Sequence, residues 1–185
     1  MPLTPTLWRT CRVLANPCRL SCLRAVIDTP GRTVEEIAER AGLSAPVASL
    51  YLRHLQARGL VRPERVSRWV RYTAVADASV THAGPTLAAV ARALRAARRP
   101  YARLLQTLTA FTHPRRLAIL RVIPDDGAAS FSTIRSVTGI SHSALCRHLA
   151  KLQRHGLTET VGDAWRIVRP LPALARVLLA ETRQT

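Results

Sequence analysis

Cys18 and Cys22 stand four residues apart, close enough to share one face of a helix, and Cys11 could approach them from a neighbouring helix. Three thiolates so placed would make a soft-metal or redox site; the alternative is that they are small buried hydrophobes. Cys146 stands apart from the other three and could touch a ligand or be oxidised. The six histidines include no pair with a carboxylate at a useful spacing, and Asp125-Asp126 precedes a glycine, as turn residues do. There is no phosphate-cradling glycine loop, no Gly-x-Ser-x-Gly and no His-Glu-x-x-His. This census points away from an enzyme, and it calls for no cofactor.

The arginines remain. Of 28 basic residues all but Lys151 are arginine, set against 11 acidic residues for a net charge of +17. The planar guanidinium fork suits bidentate contacts to phosphates and guanine edges. The excess is spread along the chain: +6 over residues 1–83, +5 over 84–110 and +6 over 111–185. Genome composition can also enrich arginine, so charge alone indicates a polyanion and no particular site. Aromatic residues are only 4%, too few for the stacking platforms of single-strand binders, which favours a duplex. No run approaches the 18 or so apolar residues of a membrane span. Arg9 and Arg12 interrupt the apolar N-terminus, so it does not read as a signal peptide. The expected compartment is the reducing cytoplasm, in association with the nucleoid.

An internal repeat supplies the elements that position these side chains. Offset by 97 residues, 14–60 aligns with 111–157 without a gap, and 14 of the 47 pairs are identical, among them Pro17/Pro114, Arg19/Arg116, Arg24/Arg121, Gly42/Gly139, Ser44/Ser141 and Gly59/Gly156. Chance would give roughly a tenth at this composition, so the pattern reads as a small domain used twice. In this register Cys11 falls opposite Leu108 and Cys22 opposite Ile119, both core positions.

Each copy predicts the same order. A first helix carries Leu7, Cys11 and Leu14, or Leu104, Leu108 and Phe111, at helical spacing. Asn16-Pro17 and His113-Pro114 open the next helix, which buries Leu20, Leu23 and Val26/Ile27, or Leu117, Leu120 and Ile123. Thr33 and Glu36 have capping-box spacing. Ala41-Gly42-Leu43-Ser44 and Thr138-Gly139-Ile140-Ser141 each stop one helix at glycine and cap another with serine, the turn of a helix-turn-helix. The second helix is expected to turn Val47, Leu50/Tyr51 and Leu55 inward in one copy, and Ala144, Leu145, Leu149 and Leu152 in the other. A hairpin follows at 61–75, turning at Val66-Ser67, and a shorter one at 158–168, turning at Gly162-Asp163; Trp69 and Trp165 fall in comparable places on the returning strands.

NPCRLSCLRAV and HPRRLAILRVI resemble the DPTRLRIL helix of ArsR-type winged-helix regulators. LSAPVASLYLRHLQARGLV and ISHSALCRHLAKLQRHGL resemble that family's SQPTVSHHLKVLREAGLV recognition helix, and RPERVSRWVRYTAV its EGRWVYYRL wing. The resemblance implies a mainly α fold with small β-hairpin wings, in which the helices after Ser44 and Ser141 enter the major groove of double-stranded DNA and the wings follow the backbone. The implied DNA contacts are Ser44, Ala45, Ser49 and Arg53 with His54 beside them, and Arg65, Arg68 and Arg71 of the first wing. In the second copy they are Ser141, His142, Cys146, Arg147, His148 and Lys151, with Arg166 of the wing.

Members of that family are usually half this length and pair through their first and last helices. Here 85–99 and 170–182 look like two last helices, and Pro100 is placed to kink the junction. One chain thus holds two tandem winged helix-turn-helix domains forming a pseudo-dimer: 1–83, a dimerisation-type helix or linker at 84–100, and 101–185. Whether two chains pair again is left open. The family's metal-sensing members carry a Cys-x-Cys pair on the helix before the turn, and neither 34–41 nor 131–138 has a cysteine. The resemblance implies a repressor, and no effector is named by the residues. The competing function is a tandem winged-helix module that docks proteins in a chromosome or transcription complex, or that binds structured RNA; an exposed apolar patch on a recognition helix would favour it.

Overall fold

The structure is a computed structural model that describes residues 5–98 and 101–184. Helices α1 (Leu7–Leu14), α2 (Pro17–Asp28), α3 (Val34–Ala41) and α4 (Ala45–Gln56) lead into a hairpin of β1 (Arg62–Val66) and β2 (Trp69–Thr73), then α5 (Ala83–Ala96). The order repeats as α6 (Ala102–Ala110), α7 (Pro114–Val122), a short strand β3 (Ala128–Ser130), α8 (Phe131–Thr138), α9 (His142–Arg154), the hairpin β4 (Thr158–Val161) and β5 (Ala164–Ile167), and α10 (Ala173–Gln184). The fold is mainly helical with small antiparallel hairpins, as expected. The kink expected at Pro100 lies outside the described residues.

The matched starts of the helices have local causes. Asn16 Oδ1 accepts from Arg19 N at 2.9 Å, and His113 Nδ1 accepts from Arg115 N at 3.1 Å, so each caps the helix its proline opens. Thr33 and Glu36 form the capping box, with Thr33 N donating to Glu36 Oε2 at 2.8 Å, and Ser130 Oγ does the corresponding work for α8. Gly42 (φ 71°) and Gly139 (φ 63°) end α3 and α8 in the left-handed region, where any side chain would be strained. Ser44 and Ser141 occupy the N-cap positions of α4 and α9 but make no side-chain cap bond; both are solvent-exposed, where water can serve their hydroxyls.

The two halves pack on each other through helices. The first helices α1 and α6 meet, the last helices α5 and α10 meet, and the buried apolar residues of both halves form one continuous core. Arg24 Nη1 donates to Ala97 O at 2.8 Å and Arg121 Nε to Thr182 O at 2.7 Å. These equivalent arginines each hold the C-terminal carbonyls of their own half's last helix, at the negative end of its dipole. A different tie joins α1 to the start of α5, where buried His82 Nε2 lies 2.8 Å from Thr10 Oγ1. The equivalent pair Arg19/Arg116 has diverged. Arg19 lies over the Tyr51 ring at 5.6 Å, whereas buried Arg116 donates to Ala110 O, Thr109 O and Thr112 Oγ1 at the end of α6.

Three sequence expectations need correction. The inner face of α4 is Ala48, Leu52 and Leu55, not Val47 and Leu50; Leu50 is 43% exposed. Counting back from Leu55 by three and seven residues reaches Leu52 and Ala48, while Leu50 falls on the far side of the helix. Second, Trp69 and Trp165 are not equivalent. Trp69 pairs with Val66 directly after the turn and is exposed, whereas Trp165 lies one place further along its strand, pairs with Thr160 and packs on the core. A one-residue difference puts a side chain on the opposite face of a sheet. Third, β3 extends the second wing to three strands in the order β3-β5-β4. The first half keeps only a single bridge at that place, Arg32 to Tyr72, and Arg32 is the equivalent of Ala129 in β3.

Candidate nucleic-acid interface

Each helix-turn-helix presents the outer face of its second helix to solvent beside its hairpin. Neither α4 nor α9 contains a carboxylate, so nothing on these helices opposes an approaching polyanion. On α4 the exposed positions are Pro46, Leu50, Arg53 and Gln56, following exposed Ser44. Two expected contacts are displaced toward the domain: Ala45 packs on the core and Ser49 is half-buried. His54 is half-buried beside Tyr51, their ring centroids 6.5 Å apart.

The first wing divides its arginines. Arg65 and Arg68 are exposed, and Arg68 is stacked over the Trp69 ring at 5.1 Å, which holds the guanidinium at the hairpin tip. Ser67 makes that tight turn at φ 57°. Arg71, expected to be a third clamp, is half-buried and donates from Nη1 to Gly31 O at 2.7 Å, tying the wing to the loop before α3. Its charge remains near the wing, but its hydrogen bonding is partly committed to the fold.

In the second domain Ser141, His142, Cys146 and Arg147 are exposed on α9, and Lys151 is half-buried. His142 lies 5.0 Å from the Phe131 ring, and Cys146 Sγ is 3.9 Å from His142 Nδ1. Arg154, which the sequence reading did not single out, is also exposed on α9; its position seven residues after Arg147, two helical turns on, was the available signal. Arg166 is less free than expected, because its Nε donates to Glu159 Oε1 at 2.7 Å across the β4–β5 pair.

His148 is the clearest displacement. It was expected to face DNA, but it is half-buried with its ring 4.5 Å from that of His113, the cap of α7. Burial, then His113 and the Arg116, Arg115 and Arg147 guanidiniums, push its pKa down to about 4. Burial and the neighbouring Arg116, Arg115 and Arg12 also lower His113. His148 is therefore neutral at pH 7 and adds no charge to the interface. Because its folded pKa lies below the ordinary value, the unfolded chain takes up this proton first on acidification. The contribution of His148 to stability is complete above about pH 6.5 and is lost as pH falls toward 4. An imidazole titration by NMR should give a midpoint near 4; a midpoint at 6 or above would contradict this packing. His148→Gln should flatten the stability profile between those pH values.

The thiols divide by burial. Cys11 and Cys22 are fully buried, and burial pushes the Cys11 thiol far above its ordinary pKa, disfavouring the thiolate a metal would need. Cys18 is half-buried and Cys146 exposed, and no disulfide joins any of the four. Among the described residues no three His, Cys, Asp or Glu side chains are grouped to hold a metal ion. No helix among them is long and apolar enough to cross a membrane. Asp125, expected to be turn chemistry, also accepts from Arg169 Nη2 at 2.9 Å and pairs with Arg183 of α10.

Comparison with known proteins agrees with this geometry. Residues 17–68, from the start of α2 to the turn of the first wing, match a family model described as the MarR family. Residues 111–161, from the end of α6 through β4, match one described as a helix-turn-helix domain. The chain therefore contains two helix-turn-helix-type domains. A curated relative, the HTH-type transcriptional regulator YgaV of Escherichia coli (strain K12), is 38% identical over 61 residues, which are 33% of this chain and 62% of the relative. The chain thus spans less than two thirds of the length of the relative it matches. No solved structure matches it significantly.

Proposed function

We propose that this chain is a transcriptional regulator that binds double-stranded DNA sequence-specifically through two non-identical recognition helices, α4 and α9, and that it is not an enzyme. The observation that carries the reading is the pair of carboxylate-free, solvent-facing helices, each beside a hairpin, in a chain of net charge +17. The finer reading includes an ArsR-type repressor that arose by tandem duplication, with domains at 1–83 and 101–185 joined by the 84–100 segment. Matched caps and the equivalent Arg24 and Arg121 ties support the duplication, and the contacts of α1 with α6 and of α5 with α10 support a covalent pseudo-dimer. Its expected compartment is the cytoplasm.

The two outer faces differ in chemistry. α4 offers Leu50 and Arg53, and α9 offers His142, Cys146, Arg147 and Arg154. One chain then reads an asymmetric site, with the first domain supplying backbone affinity and the second most of the base discrimination. Arg147 is the candidate for a bidentate guanine contact worth ~1–3 kcal/mol. Selection of bound duplexes from a random library should return a non-palindromic site. Arg147→Ala should relax preference at one or two base pairs of one half only. A perfect palindrome, or unaltered preference in Arg147→Ala, would refute the asymmetric reading.

One observation favours the competing class for the first domain. Leu50 of α4 and Val66, Trp69 and Val70 of the wing are all more than 40% exposed. Exposed apolar groups beside a recognition helix can meet thymine methyls, or they can dock a protein. If the first domain is a docking module, deleting its wing arginines will leave duplex affinity unchanged.

A further inference from the structure

The helices that join the halves do not fill the space between them. α5 turns Leu87, Val90 and Leu94 into the core, but toward α6 and α10 it presents Ala89 and Ala93, with Ala97 just past its end. These face Leu104 of α6 and Leu174 and Val177 of α10 across an open cleft of about 700 Å³. The cleft opens to solvent, with Ala88, Arg92, Ala96 and Arg103 exposed along it, so a ligand can enter it without any rearrangement of the fold. Its volume lies within the range of small-molecule sites.

The charged groups that line the cleft among the described residues are both guanidiniums. Arg92 of α5 and Arg103 of α6 both line it, both are exposed, and neither guanidinium has an acceptor among the described residues. No carboxylate lines the cleft among the described residues, and none occurs anywhere in residues 78–124. Among the described residues no aromatic ring lines it to stack a planar ligand, and Thr107 supplies the one hydroxyl. Smooth aliphatic walls suit a flexible hydrocarbon tail, and two uncompensated guanidiniums suit a carboxylate head. We propose that the cleft between α5, α6 and α10 binds a medium-chain aliphatic carboxylate, its tail against the alanine face of α5 and its head held by Arg92 and Arg103. The occupant would touch both halves at once, since α5 belongs to the first half and α6 and α10 to the second. A small anion fits the cleft better than a second copy of this chain, which would bring a further +17 to an already cationic rim.

Calorimetry of the full chain with decanoate, in the absence of DNA, tests the site independently of the regulatory reading. Decanoate should bind one to one, and decyltrimethylammonium, with the same tail and the opposite charge, should bind at least tenfold more weakly. Arg92→Gln combined with Arg103→Gln alters only exposed side chains, so the fold should persist by circular dichroism while decanoate affinity drops at least tenfold. Ala93→Trp, which fills the cleft, should abolish binding. The proposal is overturned if decanoate does not bind, if the cationic analogue binds equally well, or if the double arginine variant binds as the parent does. It is also overturned if sedimentation shows a concentration-dependent dimer that Ala93→Trp disrupts, since a second copy would then be the occupant.

Discussion

Affinity for duplex DNA should fall about a thousandfold between 50 and 200 mM salt, as read by fluorescence anisotropy with a labelled duplex. The figure follows from counting the cations that are free to act. Arg53, Arg65 and Arg68 in the first domain and Arg147, Lys151 and Arg154 in the second are exposed or half-exposed, on α4, α9 or the first hairpin, with no internal acceptor among the described residues. Arg71 and Arg166 are left out because Gly31 O and Glu159 already hold them. Six neutralised phosphates give a log–log slope of roughly −5, which over a fourfold change in salt is about 10³, the lower end of the range for a protein with six to ten such contacts. A steeper slope would mean that Arg71 and Arg166 exchange their internal partners for phosphates on binding. A flat response would sink the DNA-binding reading and leave protein docking in its place.

That count separates what was legible in the chain from what was not. The turn of each helix-turn-helix was legible because its determinants are local: a left-handed glycine, the cap residues of the preceding helix, and a start-to-stop spacing seen twice. The first and last helices themselves were legible because their apolar residues recur at helical spacing in both copies, but that they meet across the halves was implied only by the resemblance to a dimeric family. The commitment of Arg71 was hidden, since its acceptor lies 40 residues away in a loop. The Arg166–Glu159 pair required the hairpin register, and His148 required knowing that α7 delivers His113 to its ring. The wing tryptophans misled because similarity of position is not similarity of face in a strand. β3 is three residues long, with only Ala129 buried, and it exists because β5 offers it an edge.

The phase of α4 was readable in principle from its partner, and it has the largest stability consequence. Leu145, Leu149 and Leu152 are buried in α9, and the 97-residue register maps them onto Ala48, Leu52 and Leu55. An alanine at the first of these positions weakens the apolar signal, so Val47 and Leu50 look like the inner stripe. The two leucines two residues apart therefore have opposite roles. Leu52 is fully buried, and Leu52→Ala should cost about 3 kcal/mol through lost transfer energy and a residual cavity. For a chain of this size that lowers Tm by roughly 6–12 °C. Leu50→Ala should change stability by no more than about 0.5 kcal/mol, as surface substitutions do. Because Leu50 shares the outer face with Arg53, the same substitution should alter duplex affinity or base preference while Tm stays put. Thermal melts of both variants, paired with anisotropy on one duplex, decide the matter. Equal destabilisation by the two, or a larger loss from Leu50→Ala, would rotate α4 and remove its outer face from the interface.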